Sequence, residues 1–196
     1  QAADFVVYHD EYFNLRYPGG DIPALYGVCS DVVIRAYRSV GIDLQRLVHE
    51  ARVGSGDTSI DHRRTETLRR FFARHGANLP VTDCADDYEP GDVVTYERPQ
   101  NRGAQAHIAI VSNQTGPSGR LMIVHNRGWG PQIEDALFVD TITGHYRMSG
   151  APRLLTSWGN SKSHGAGLNS WSTLVRRAAI VRGSGRVQKP KTTPRL

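Results

Sequence analysis

An α+β fold is predicted by where two periodicities fall along this chain. Apolar residues recur at helical spacing between about residues 30 and 76, alternating strand-like runs occupy about 91–148, and the two patterns do not interleave. Helices first and an antiparallel meander afterwards describe helices packed on a sheet, not alternating βαβ units. At 196 residues the chain can bury one substantial core, so one domain over 1–150 is expected, followed by a separate extension over 151–196.

The opening stretch to Tyr26 is rich in aromatic and turn-forming residues, and Tyr17-Pro18-Gly19-Gly20-Asp21 reads as a tight turn. Val32, Val33, Ala36, Tyr37 and Val40 then mark one helical face, and Gly41 supplies a stop. Leu44, Leu47 and Val48 predict a short second helix ending near Gly54. Asp61 or Thr65 is expected to cap a third helix that carries Leu68, Phe71 and Phe72 and closes at Gly76. Strands are predicted at Gly91 to Tyr96, His107 to Val111 and Leu121 to His125, the last two joined by a Gly-Pro-Ser-Gly turn. Ala136 to Val139 and Gly144 to Met148 are candidates for one or two more, and Ser172 to Val181 is the one locally ordered stretch expected in the extension.

The net charge of +5 is unevenly spread. Residues 1–150 hold 15 arginines, no lysine and all 19 acidic residues, for −4, whereas residues 151–196 carry nine Lys or Arg and no acid, for +9. The basic character therefore belongs to the extension, which reads as a solvated appendage or a polyanion-binding tail, cell-wall polymers included. No apolar run is long enough to span a membrane. The chain starts at Gln1 without a methionine, so it reads either as a processed product, an exported protein that lost its signal peptide being one explanation, or as a trimmed sequence.

Cys29 lies where a loop becomes a helix, and the free N–H groups of a helix start favour thiolate over thiol. A nucleophilic thiol needs an imidazole and a third polar group that fixes the imidazole. His107 opens a strand, with the small Ala109 on the same face allowing a helix to approach. On the next strand His125 is the candidate for the orienting group and Asn126 its rival, because a one-residue shift of register exchanges their faces. Cys84 is the other cysteine, and a Cys29–Cys84 disulfide would remove the nucleophile.

"YPGG…GVCSDVVIRAYR", "PGDVV", "HIAIV" and "IVHN" resemble the papain-like NlpC-type superfamily of bacterial cell-wall cysteine peptidases. "GVCSDVVIRAYR", "IDHRR" and "GHYR" resemble more narrowly an often exported bacterial family within it. The resemblance covers about residues 8–148. It implies a papain-like fold, Cys29 as nucleophile, His107 as base and then acid, and His125 as orienting residue. The Cys29 backbone N–H, helped by the Tyr17 hydroxyl, would form the oxyanion hole. Val28 and Asp31 replace the residues usual beside the cysteine, and Asp31 is therefore expected to shape the substrate cleft.

His62, Arg63 and Arg64 form a dense polar cluster, either a grip for a substrate carboxylate or an ion-pair network that anchors a loop. Gly144-His145-Tyr146-Arg147 reads as a structural strand. No His-Glu-x-x-His, paired Cys-x-x-Cys or lysine-bearing phosphate loop occurs, so no metal or cofactor is expected, and serine catalysis lacks its Gly-x-Ser-x-Gly elbow.

The function implied is hydrolysis of an amide bond in peptidoglycan stem or cross-link peptides through a Cys-His-His acyl-enzyme. It would act in the periplasm, cell envelope or outside the cell, in wall remodelling or as an antibacterial effector with an immunity protein as partner. A monomer with no nucleic-acid partner is expected. The alternatives are an acyltransferase or other thiol hydrolase on the same scaffold, and a non-catalytic wall-binding module with a Cys29–Cys84 disulfide.

Overall fold

The computed structural model describes residues 6–100 and 105–148; the basic extension and the expected order at Ser172 to Val181 lie outside the described residues. Three α-helices, α1 (Cys29–Ser39), α2 (Leu44–Glu50) and α3 (Thr65–His75), precede all six strands. The strands are β1 (Ala77–Leu79), β2 (Val93–Glu97), β3 (Ala106–Thr115), β4 (Leu121–Asn126), β5 (Pro131–Glu134) and β6 (Thr141–Arg147). They form one antiparallel sheet in the order β1-β6-β2-β3-β4-β5, so the fold is α+β.

Alternation along β2 and β3 gives the sheet two buried faces. Val93, Ile108 and Ile110 pack against Val33, Ile34, Tyr37, Leu47, Phe71 and Phe72 of the helices. Val94, Tyr96, Ala109, Val111 and Ile123 meet Tyr88, Ala136 and Leu137 from the connecting segments on the other side. Ala109 therefore does not serve the close helix approach expected of it. The helices rest on Ile108 and Ile110, one residue out of phase with Ala109.

The helix boundaries follow local chemistry. Gly41, at φ 84°, closes α1 with its N–H on the Arg38 carbonyl. At α3 neither expected cap acts as one. The Asp61 carboxylate accepts from the Ser55 and Gly56 N–H groups and the Ser55 hydroxyl, holding the preceding loop, while Thr65 is already the first helical residue. The approach of that loop is close enough that a Cβ on Gly54 would lie 2.3 Å from Asp61 Cγ.

The segment 136–139 is not a strand. Ala136 and Leu137 plug the second core, with the Tyr96 hydroxyl donating to the Leu137 carbonyl. The edge strand beside β4 is instead β5, which opens on Pro131, a residue an edge position tolerates because one side of the strand needs no ladder bond.

The end of β2, the start of β3, the end of β4 and the start of β6 meet at one end of the sheet, as the pairs Glu97↔Ala106 and Glu97↔Thr141 require. The N-terminus of α1 reaches this same end, because the Asn126 side-chain amide at the end of β4 donates to the Gly27 carbonyl at 3.1 Å.

Candidate active site

Cys29 is the first residue of α1 and is buried. Its Sγ lies 3.9 Å from the Thr65 hydroxyl at the start of α3 and accepts from the backbone N–H groups of Ser30 and Ile108. Ile108 adjoins His107 on β3, so the thiol rests against the strand that carries the imidazole. Its hydrogen bonds go to these groups and to the Tyr8 hydroxyl, not to the His107 ring.

Burial pushes the Cys29 thiol above its usual range, the Asp31 charge adds to this, and the Thr65, Ile108 and Ser30 hydrogen bonds only partly oppose it. The helix start therefore does not leave a resting thiolate, contrary to the expectation from sequence.

His107 is buried, and its Nε2 is 3.0 Å from Nδ1 of His125. His125 Nε2 in turn lies 2.6 Å from Oε2 of Glu134 on β5. Burial holds His107 far below the usual imidazole range, at about 3, helped by His125 and the Arg98 and Arg127 charges. His125 is also lowered: burial and Arg127 outweigh the upward pull of Glu134. Both directions favour the uncharged forms, thiol at Cys29 and imidazole at His107.

His125, not Asn126, partners His107. Asn126 faces the opposite way and is wholly structural: its amide holds Gly27 and its carbonyl oxygen accepts from the Gly128 N–H at 2.9 Å.

Tyr17 is engaged at α2, not beside Cys29. The Gly20 N–H donates to Gln45 on α2, which holds the Tyr17 turn over that helix, and the Tyr17 ring meets His49 edge-on at 5.1 Å. Tyr8 occupies the position beside the thiol. Partial desolvation of this 38% exposed residue and the neighbouring Cys29 and Asp10 push the Tyr8 phenol above its usual range, keeping a donor proton on it.

Asp31 is not exposed to a cleft. Its carboxylate accepts from the Val28 N–H at 2.8 Å and from Arg63 at 3.0 and 3.2 Å. Arg63 also donates to the Glu11 carbonyl, while the Ser30 hydroxyl donates to the Arg63 carbonyl. His62 is buried and burial lowers it to about 4. Of the three cluster residues only Arg64 is exposed, one position before Thr65.

His145 and Arg147 fix the opposite end of the sheet through Asp92, at 2.7 Å each. Burial raises the Asp92 carboxyl, but hydrogen bonds from Arg147 and His145 outweigh it and hold the group below its usual range. Cys29 and Cys84 are both free thiols, Cys84 exposed, so the disulfide of the non-catalytic alternative is not formed. Among the described residues no group of three His, Cys, Asp or Glu is arranged to hold a metal ion. No helix among them is long and apolar enough to cross a membrane.

Sequence reasoning missed Glu134 and Tyr8. Glu134 stands on an edge strand that opens with proline. Tyr8 is placed by a single bridge, Val7 with Tyr26, that leaves no periodic signal.

Fold and site together define an α+β protein with a buried cysteine at a helix start beside a His-His-Glu chain. The sequence matches the family described as a domain of unknown function, DUF1287, over residues 1–148, and the chain belongs to that family. It is 40% identical over 159 residues to the uncharacterized protein YijF of Escherichia coli (strain K12), covering 75% of this chain and 76% of that protein. No solved structure matches it.

Proposed function

We propose that this protein is an exported, papain-like thiol hydrolase of the NlpC type that cleaves an amide bond in peptidoglycan stem or cross-link peptides. The observation that carries the reading is the chain from His107 Nε2 through His125 to Glu134, built at the sheet end where Cys29 opens α1. A structural core histidine needs one satisfied partner; two linked imidazoles ending on a carboxylate are the arrangement that tunes a base.

With both groups neutral at rest, proton transfer accompanies attack. Cys29 Sγ forms a bond to the amide carbon as its proton passes to His107 Nδ1, the ring nitrogen not committed to His125. The tetrahedral oxyanion accepts from the Cys29 backbone N–H and the Tyr8 hydroxyl. His107 then protonates the leaving amine as the C–N bond breaks, and the same nitrogen activates water to release the acyl group and restore the thiol. Arg64, exposed beside Thr65, is the candidate for a substrate carboxylate, while Arg63 is committed to Asp31. Transfer of the acyl group to an amine in place of water would use the same residues.

Purified peptidoglycan treated with wild type or with Cys29→Ala tests the reading. Mass spectrometry is expected to show a new peptide terminus with wild type alone, which names the bond. Identical fragment profiles with a folded Cys29→Ala control sink the hydrolase reading.

A further inference from the structure

The two groups that flank His125 differ in kind, and together they leave its ring one arrangement of protons. Arg127 Nε lies 3.3 Å from His125 Nδ1, and a guanidinium can only donate. Nδ1 is therefore the lone-pair nitrogen, and the proton sits on Nε2, where it is donated to the Glu134 carboxylate at 2.6 Å. Because Nδ1 can only accept, the bond at 3.0 Å from His107 requires the His107 proton on its Nε2. His107 Nδ1 is then left bare, as a base for Cys29 must be.

We propose that Glu134 and Arg127 are positioning residues that act through His125, and that the Glu134 charge sets how readily His107 takes the Cys29 proton. The inference rests on the Cys-His reading above. Arg127 fixes the tautomer and is itself held by Asp140, at 2.9 Å. Glu134 supplies the only carboxylate in direct contact with the imidazole chain among the described residues. Its negative charge favours the imidazolium that His107 becomes. The opposing charges are Arg127 on the β4–β5 loop and Arg98 beyond β2, both of which disfavour it. On the helix side Asp31 is the charge that acts on the thiol, and it is neutralised by Arg63. Glu134 is thus the group whose removal tips the balance against proton transfer.

The test is the rate of Cys29 alkylation by iodoacetamide in the full chain across pH, followed at the Cys29 peptide by mass spectrometry so that Cys84 does not interfere. Between the imidazole and thiol ionisations the rate reports the fraction of thiolate formed by transfer to His107. Above the thiol ionisation it reports a thiolate made by hydroxide, and His107 no longer matters. Glu134→Gln, which keeps an acceptor but loses the charge, is expected to lower the neutral-pH rate about tenfold, one pKa unit, and to leave the alkaline rate unchanged. Glu134→Asp is expected to recover part of the loss.

An unchanged neutral rate in Glu134→Gln overturns the proposal. An equal fall at every pH also overturns it, because that pattern means altered access to the thiol. Should wild type show no neutral-pH rate that His107→Ala abolishes, the Cys-His pair itself fails and the proposal fails with it. If the pair is confirmed and Glu134→Gln behaves as expected while peptidoglycan stays intact, only the substrate assignment is lost.

Discussion

Replacing Arg63 by methionine should destabilise the domain severely, whereas the same change at Arg64 should leave its stability intact. The Arg63 and Asp31 side chains are 2% and 3% exposed and share two hydrogen bonds, so Arg63→Met strands a carboxylate where water cannot reach it. Removing one partner of such a pair costs ~3–5 kcal/mol. In a domain of this size each kcal/mol lowers Tm by ~2–4 °C, so the expected loss is roughly 6–20 °C. The Val28 N–H still bonds Asp31 and keeps the loss toward the lower half of that range. Arg63→Met with Asp31→Asn should lose less than the two single changes together, because the stranded charge is gone. Circular dichroism melts of the single and double variants measure this. Arg64→Met should melt within about 2 °C of wild type and, with peptidoglycan, raise KM about tenfold for one lost charge-assisted contact. If Arg63→Met melts with wild type, or Arg64→Met falls as far as Arg63→Met, the division between anchor and grip is refuted.

Three further outcomes follow from the site. His62 is lowered to about 4 from an unfolded value near 6.5, so the unfolded chain binds the extra proton. The stabilisation from burying it neutral is complete above about pH 6.5 and is lost as pH falls toward 4. His62→Leu should flatten stability over that window in urea titrations at stepped pH, and an unaltered slope would remove His62 from the account. Tyr8→Phe should cut kcat roughly a hundredfold with little change in KM if its hydroxyl serves the oxyanion. Tyr17→Phe should be silent in the same steady-state assay; equal effects would return the role to neither. Asn126→Ala should cost ~1–3 kcal/mol by leaving the Gly27 carbonyl and Gly128 N–H unpaired. Denaturant midpoints read the loss, and no change would mean those groups find other partners.

The α+β layout was legible because its signals are local. Helical spacing at Val33 and Tyr37, and alternation through Val93–Tyr96 and Ile108–Val111, decide their elements before any tertiary contact forms. The edges were not. The apolar run at 136–139 looks like a strand because burial and strand pairing leave the same residue types, yet Leu137 is buried as a plug with no ladder. β5 is polar and opens with Pro131, and its place comes from pairing with β4. Within the site, the spacing of His107 and His125 on adjacent strands could be read off the chain. Glu134 and Tyr8 could not, since each depends on a pairing that only the folded sheet makes. The charge of Cys29 was misjudged for a related reason: a helix start is visible in sequence, but the burial that outweighs it is not.

The placement of the two halves of the site on opposite faces of one sheet has a bearing on control. Cys29 is packed into the helical core, while His107 and His125 belong to the face closed by Tyr88, Tyr96 and Leu137. The Cys29 thiol and the His107–His125 pair are therefore members of separate packing neighbourhoods joined at the sheet end. On the proposed hydrolase reading, proton transfer from Cys29 to His107 would require the two layers to close on each other at that end. Such a molecule can be idle and fully folded at once. On that reading, hydrolysis would wait on a substrate peptide that brings the two layers together across the sheet end.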